Sequence, residues 1–186
     1  MAQKDFIKFF DELRIKDVPM VGGKNASLGE MYQKLSSQKI NVPFGFATTA
    51  SAYNYFMEKS GLKNKIREIL KDLNTHDVKN LMIRGEKVRQ EILKAELPKD
   101  LKQEIVSAYK KLSSFYKKEN VDVAVRSSAT AEDLPDASFA GQQETYLNIS
   151  GSEDLLIAVR KCIASLFTNR AISYRTDKGF DHFNIA

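Results

Sequence analysis

The chain has 186 residues, of which 42% are hydrophobic and 28% are charged, and its formal net charge is +5. This ordinary composition excludes a collagen-like fibre, a coiled coil and a disordered tail. The single cysteine, Cys162, excludes an intramolecular disulfide and fits a reducing cytosol. Because the sequence shows neither a secretory signal nor an apolar run of about eighteen residues, we expect a cytoplasmic protein without a membrane span.

In chain order, the first half predicts helices with one short strand among them. Apolar residues within 3–13 predict a helix, and Gly22-Gly23 separates it from a second helix with Leu28, Met31, Tyr32 and Leu35 on its buried face. Residues 43–49 predict a strand, and Thr48 or Thr49 is expected to cap the helix that follows. Further helices are predicted over 62–73, over 77–95 and from Pro98 onward. The buried stripe expected on the helix over 77–95 is Val78, Leu81, Met82, Val88 and Ile92.

The pattern changes after residue 120. Alternating apolar residues predict a strand over 121–126, with Arg126 on the face opposite the valines, and a second strand over 142–149. An apolar stripe then predicts a helix from Leu155 to Phe167, which residues 169–178 are expected to continue. This order predicts an α+β fold with a small, mostly antiparallel sheet and a helical block.

The basic surplus is local, since residues 61–120 carry fifteen Lys or Arg against nine Asp or Glu. Positively and negatively charged residues are interspersed there, which is typical of solvated helix faces. An alternative to an enzymatic function is a non-catalytic module, which would present this basic face to nucleic acid or a partner.

Two segments could carry chemistry. In the first, Gly22-Gly23-Lys24 leads into a helix, where backbone N–H groups and a mobile cation can hold an anion, although the P-loop pattern is absent. A glycine turn with a solvated lysine is the alternative. In the second, Arg126 ends a strand before a long polar loop, and its planar guanidinium could clamp a phosphate. Pairing of Arg126 with acids of that loop is the alternative there; those acids are Glu132, Asp133 and Asp136.

Other chemistries lack support in the sequence. Ser127-Ser128 has neither the nucleophile-elbow pattern nor a nearby histidine. His76 and His182 do not have metal-ligand spacing, and we expect His76 on the surface. Cys162 lies in an apolar helical stripe and is predicted to be a buried structural thiol. The aromatic residues at helical spacing are predicted to be core residues: Tyr109, Phe115 and Tyr116.

The glycine-lysine segment, the segment after Arg126 and two further motifs together resemble the phosphoenolpyruvate synthase (pyruvate, water dikinase) family. The resemblance is carried by VGGKNASLGEM at 21–31, VPFGFATTA at 42–50, the run over 125–148 and ASLFTNRAISYR at 164–175. It implies that residues 1–186 form the first lobe of an ATP-grasp-like nucleotide-binding domain, with a helical insertion at about 61–119. Position by position, it implies that Lys24 and the catalytic Arg126 contact the ATP phosphates. It further implies ATP contacts from Gly141 and Thr145, and an additional charge near the site from Arg175.

The same resemblance implies what lies outside the 186 residues. The intact enzyme would convert ATP, pyruvate and water to AMP, phosphoenolpyruvate and phosphate through a phosphohistidine in another domain. Mg²⁺ ligands are expected in the second lobe, and pyruvate is expected to bind a separate barrel. ATP, pyruvate and the remaining domains are therefore the implied partners, with neither nucleic acid nor a membrane among them. We expect a fragment that binds ATP weakly or not at all. Pyruvate, phosphate dikinase and rifampicin phosphotransferase share the two motifs and stay as alternatives.

Overall fold

The computed structural model describes residues 5–130, 133–134, 137–138 and 144–183. Within them the helices are α1 (Val18–Ser36), α2 (Ala50–Lys59), α3 (Leu62–Leu70), α4 (Val78–Lys94), α5 (Lys99–Phe115), α6 (Ser152–Ser165) and α7 (Asn169–Asp177). The strands are β1 (Ile7–Phe9), β2 (Phe46–Thr48), β3 (Val123–Arg126), β4 (Asp133–Leu134), β5 (Ala137–Ser138) and β6 (Thr145–Ile149). The predicted α+β class and the helical block are confirmed.

The strands of the described residues pair two by two, and each pair is antiparallel. β1 pairs with β2, β3 with β6, and β4 with β5. In the second pair, Arg126 stands opposite Thr145, and the register shifts between Val123 and Val125. This pairing places the end of β3 beside the start of β6.

The helix predicted over 3–13 is wrong for the residues that the structure describes. Residues 7–9 form β1, and two 3-10 turns follow, Phe10–Glu12 and Ile15–Asp17. The apolar residues of this segment suit either structure, and pairing with β2 decides between them. The carboxylate of Glu12 accepts a hydrogen bond from the backbone N–H of Phe9 at 2.8 Å, which turns the chain out of the strand.

Several helices start where local capping signals predict. The hydroxyl of Thr49 accepts from the N–H of Ala52 at 3.2 Å and begins α2, so the prediction of a threonine cap is confirmed. Asp77 caps α4 in the same way through the N–H of Asn80. Thr168 caps α7, which is therefore a separate helix and not an extension of α6.

The main core lies between helices α2 to α7 and the strand pair β3–β6. Tyr109 is fully buried, and its hydroxyl donates to the carbonyl of Val121 at 2.8 Å. The largest fully buried side chains of this core are Tyr109, Phe6, Phe56, Phe167, Met57, Leu62, Ile66, Ile92, Ile105 and Ile172. The core prediction was wrong for Phe115 and Tyr116, which are exposed, and the α4 stripe was wrong at Val78 and Met82. The buried face predicted for α1 was wrong as well: Met31 is exposed, and Leu28, Tyr32 and Leu35 are only half-buried. The register of α4 instead buries Leu81, Gly85, Val88 and Ile92.

Arginines connect the helices by donating to carbonyl groups at helix ends. Arg160 of α6 donates to the carbonyl of Leu93 at 3.0 Å, at the end of α4. Arg84 reaches the carbonyl of Ile69 at the end of α3, and Arg89 reaches that of Phe167 beyond α6 at 2.9 Å. The last carbonyls of a helix have no partner within the helix, and the helix dipole makes this end negative. Part of the basic surplus therefore stabilises the helix packing. Among the described residues, no helix combines the length and the apolar character needed to cross a bilayer.

Candidate functional site

A cleft with a volume of about 120 Å³ lies where α1, the start of α2 and the end of β3 meet. Arg126 lines its edge, together with the polar residues that begin the following loop. Apolar side chains from α5 and α6 form its floor. The polar lining residues are Asn25, Thr48, Thr49, Tyr53, Arg126, Ser127, Ser128 and Thr130, and apolar ones include Leu101, Ile105, Val125 and Cys162. An apolar cleft with a few convergent polar groups is typical of a ligand site.

Ser128 is inserted into helix α1 at a kink. Its hydroxyl donates to the carbonyl of Val21 at 2.9 Å and accepts from the backbone N–H of Asn25 at 3.1 Å. An undistorted helix pairs these two groups with each other, since they are four residues apart. The side-chain amide of Asn25 also donates to the carbonyl of Val21, at 3.0 Å. One serine hydroxyl therefore completes the helix across the kink, which is one of the known causes of helix bending.

The kink requires glycine at position 22. Gly22 has φ 78° and ψ 162°, a conformation that L side chains rarely adopt. A Cβ atom built on Gly22 would lie 2.1 Å from the carbonyl oxygen of Ser128. The backbone of the loop after β3 thus packs directly against the backbone of α1. The predicted interruption at the glycine pair is confirmed: Gly22 leaves the helical conformation, so α1 consists of two helical segments that meet at a kink.

Arg126 is the exposed cation at the edge of the cleft. It has no hydrogen bond or ion pair with any residue whose side chain the structure describes. The side chains of Glu132, Asp133 and Asp136, which the alternative interpretation pairs with it, lie outside the described part of the chain. Thr145 faces Arg126 across the β3–β6 pair and is also exposed. The structure therefore brings these two predicted site residues together.

The other predicted site residues have different surroundings. Lys24 is half-buried and directly precedes Asn25, whose N–H the Ser128 hydroxyl binds, and it does not line the cleft. Gly141 lies outside the described residues. Arg175 is buried within its own chain: it donates to the carbonyl of Leu166 at 2.6 Å and to Nδ1 of His182 at 3.1 Å. These contacts give Arg175 a structural role that its sequence context does not indicate.

Two neutral groups contribute to the cleft. Burial raises the pKa of Tyr53 to about 12, partly offset by the positive charge of Arg175. Its hydroxyl is buried without a hydrogen-bond partner among the described residues. Burial likewise raises the pKa of Cys162 to about 12, and its thiol donates to the carbonyl of Val125 at 3.6 Å. The prediction of a buried structural thiol is confirmed. Both groups stay protonated at neutral pH.

No cluster of three or more metal-ligating side chains occurs within the ranges that the structure describes. His76 is exposed, as predicted, and His182 is engaged by Arg175. Sequence reasoning missed Asn25, Ser128 and Tyr53 as parts of the site. The only local signal for the first two is their position beside the two chemistry-bearing motifs. Contacts across 103 residues are not visible in one sequence.

Residues 18–186 match the family model described as pyruvate phosphate dikinase, AMP/ATP-binding domain, and the chain belongs to this family. The curated relatives it matches include proteins named phosphoenolpyruvate synthase. That of Aquifex aeolicus (strain VF5) is 56% identical over 182 residues, which are 98% of this chain and 21% of the relative. Those of Helicobacter pylori (strain ATCC 700392 / 26695) and Escherichia coli (strain K12) are 54% and 49% identical, over 97% of this chain and 22% of each relative. The chain therefore spans about a fifth of the length of these relatives, and the predicted family resemblance is confirmed.

Proposed function

We propose that the chain is the ATP-binding part of a phosphoenolpyruvate synthase. The whole enzyme would convert ATP, pyruvate and water to AMP, phosphoenolpyruvate and phosphate, through a phosphohistidine located outside these residues. The names of the curated relatives support this activity over that of a pyruvate, phosphate dikinase or a rifampicin phosphotransferase. The family match to an AMP/ATP-binding domain supports ATP as the ligand.

The observation that carries the proposal is the guanidinium of Arg126 at the edge of the cleft, without a partner among the described side chains. A guanidinium that is not neutralised by a carboxylate can give two parallel hydrogen bonds to phosphate oxygens. The Ser128 hydroxyl bridges the carbonyl of Val21 and the N–H of Asn25, a contact called the Ser128 bridge below. Lys24 directly precedes Asn25 and would add a second positive charge. Phosphoryl transfer depends mainly on such positioning and charge stabilisation. The residues present therefore fit a polyphosphate.

We assign the remaining predicted contacts by the same proposal. Thr145 stands opposite Arg126, where its hydroxyl would contact a phosphate, and Gly141 would approach the phosphates from the loop. Arg175 does not line the cleft, but its positive charge acts on Tyr53 of the lining and would add to the positive potential of the site. ATP supplies the phosphoryl group, and the chain's own residues hold and orient it.

The cleft holds about 120 Å³, whereas sites for whole small molecules have roughly 300–1,000 Å³. This difference supports the proposal that these residues are the first lobe of an ATP-grasp-like domain, with a helical insertion at about 61–119. The second lobe would bring the Mg²⁺ ligands, and further domains would bind pyruvate. A cytoplasmic location fits these substrates.

The proposal is tested in a chimera, in which this chain replaces the matching 182 residues of the Aquifex aeolicus relative. We expect pyruvate-dependent AMP formation, and we expect Arg126→Ala to lower it by about 100-fold or more because a charge-stabilising donor is lost. Labelling of the phosphohistidine from ATP labelled in its β- and γ-phosphates should be lost in parallel.

Arg170→Ala is the matched control, since Arg170 is an exposed arginine on α7. It should leave both measurements at the level of the unsubstituted chimera. Labelling of the Arg126→Ala variant at that same level would refute the assigned role. An inactive unsubstituted chimera would contradict the proposed function itself.

A further inference from the structure

The hydroxyl of Ser128 joins the two backbone segments that carry the cations assigned to the ATP site, and this inference rests on the proposed function. We infer that Ser128 is a positioning residue: by bridging the kink of α1, it fixes Arg126 relative to Lys24. Neither the family match nor the relatives' names assign a role to this serine.

The bridge defines both partners of the contact. The hydroxyl donates its one proton to the carbonyl of Val21 and accepts from the N–H of Asn25, so its orientation is determined. Both backbone groups belong to the kink, and neither could be satisfied by the other without straightening the helix. Loss of the hydroxyl would therefore leave the N–H of Asn25 without its present partner, while the carbonyl of Val21 would keep the side-chain amide of Asn25.

Each cation is close to the bridge along the chain. Lys24 directly precedes Asn25, whose N–H is bound, and Arg126 is two residues before Ser128. Two extended residues span at most about 7 Å. The Ser128 bridge thus fixes the backbone near Arg126 relative to the backbone near Lys24, although about a hundred residues separate the two motifs in sequence.

The contact is also steric, which limits sliding between the two segments. The carbonyl oxygen of Ser128 lies where a Cβ of Gly22 would stand, at 2.1 Å. The backbone contact sets the separation of the segments, and the two hydrogen bonds set their register. Two cations that bind one polyphosphate need such a fixed spacing, because misplacement by about 1 Å can cost about 100-fold in rate.

Ser128 has no covalent role in this inference. Its proton is held by the carbonyl of Val21, and the described residues place no histidine beside it to act as a base. It acts through Lys24 and Arg126, so its effect should appear in the use of ATP and not in that of pyruvate.

The test uses the chimera described above. Ser128→Ala should raise KM for ATP by about 10-fold or more, with KM for pyruvate unchanged, and Ser128→Thr should restore most of the loss because it keeps the hydroxyl. In the Lys24→Gln background, Ser128→Ala should add less than about 2-fold, since coupled residues are not additive. Ser165→Ala is the control, because this buried hydroxyl bonds only within α6, to the carbonyl of Cys162 at 2.7 Å.

Equal KM values for ATP in Ser128→Ala and the parent, or full additivity with Lys24→Gln, would overturn the inference while leaving the proposed function intact. If Ser128→Ala fails to fold, amide exchange in the unsubstituted chimera decides. ATP should then slow exchange at Asn25 and at residues 127–130 together, and an effect on neither segment would refute the positioning role. An inactive unsubstituted chimera refutes the proposed function and, with it, this inference.

Discussion

At the residue scale, Gly22 meets two separate requirements. Its φ of 78° favours glycine on conformational grounds, and the carbonyl of Ser128 occupies the space of a Cβ. Gly61 also has a positive φ, of 67°, but nothing lies within 4 Å of a Cβ built there. A substitution at Gly61 therefore tests backbone strain alone, whereas a substitution at Gly22 tests strain together with steric contact.

We expect Gly22→Ala to lower the free energy of unfolding by at least about 2 kcal/mol, because strain and the clash with Ser128 add. Gly61→Ala should cost about 1 kcal/mol from backbone conformation alone. Urea denaturation of the two variants and the parent measures both values. Equal losses in the two variants would show that the contact with Ser128 does not constrain α1.

At the element scale, the helices are joined through their ends as well as through their apolar faces. Arg160 reaches two carbonyls at the C-terminal end of α4, those of Leu93 in its last turn at 3.0 Å and of Ala95 just after it at 3.4 Å. Arg175 does the same for α6 through Leu166. A guanidinium has several donors in fixed geometry, so it can satisfy carbonyls of a neighbouring helix that a lysine would hold less well.

Arg160→Ala should lower the free energy of unfolding by about 1.5–3 kcal/mol, the usual worth of a hydrogen bond to a charged group. Arg170→Ala, which removes an exposed arginine from α7, should change it by less than about 0.5 kcal/mol. Thermal or urea denaturation distinguishes the two. A loss in Arg160→Ala no larger than in Arg170→Ala would show that the cap on α4 is not stabilising.

At the scale of the whole molecule, the end of the described chain returns to the core through His182. Its Nδ1 accepts from Arg175, and burial, together with the charge of Arg175, lowers the pKa of His182 to about 4. The ordinary value of a histidine is about 6.5. Between these two pH values, the unfolded chain binds a proton at His182 that the folded chain does not.

Stability from this group is therefore complete above pH 6.5 and declines as the pH falls toward 4. We expect His182→Gln to have a shallower loss of unfolding free energy than the parent between pH 6.5 and 4.5, with a difference of about 1 kcal/mol per pH unit at most. His76→Gln, at the exposed histidine, is the control and should follow the parent. Identical pH profiles of His182→Gln and the parent would contradict this origin of acid sensitivity.

Sequence patterns predicted the structural features that depend on residues close in sequence, such as helix caps and some buried helix faces. The caps at Thr49 and Asp77 are local, and the regular stripe of α6 identifies its buried face. β1 was missed because its partner strand is about 40 residues away, and the same apolar residues suit a helix. Phe115 has helical spacing yet is exposed, because its face of α5 turns away from the core.

The candidate site divides in the same way. Arg126 at a strand end and Lys24 after a glycine pair are visible as chemistry in the sequence, and their roles in ATP binding stay predictions. Ser128 was missed because its role depends on a contact across 103 residues. Arg175 shows the reverse case: its charge is visible in the sequence, but its burial against Leu166 and Phe167 depends on packing.

The bridge between Ser128 and α1 also has a consequence for the order of folding. It closes a loop of 103 residues, for which chain entropy alone costs roughly 4 kcal/mol, whereas the contacts within α3 to α5 are local and form sooner. We therefore expect the two motifs to meet after the helical block between them has become compact, which shortens the effective loop. A partly folded chain would therefore hold most of its helices while Arg126 and Lys24 are still too far apart to share a ligand.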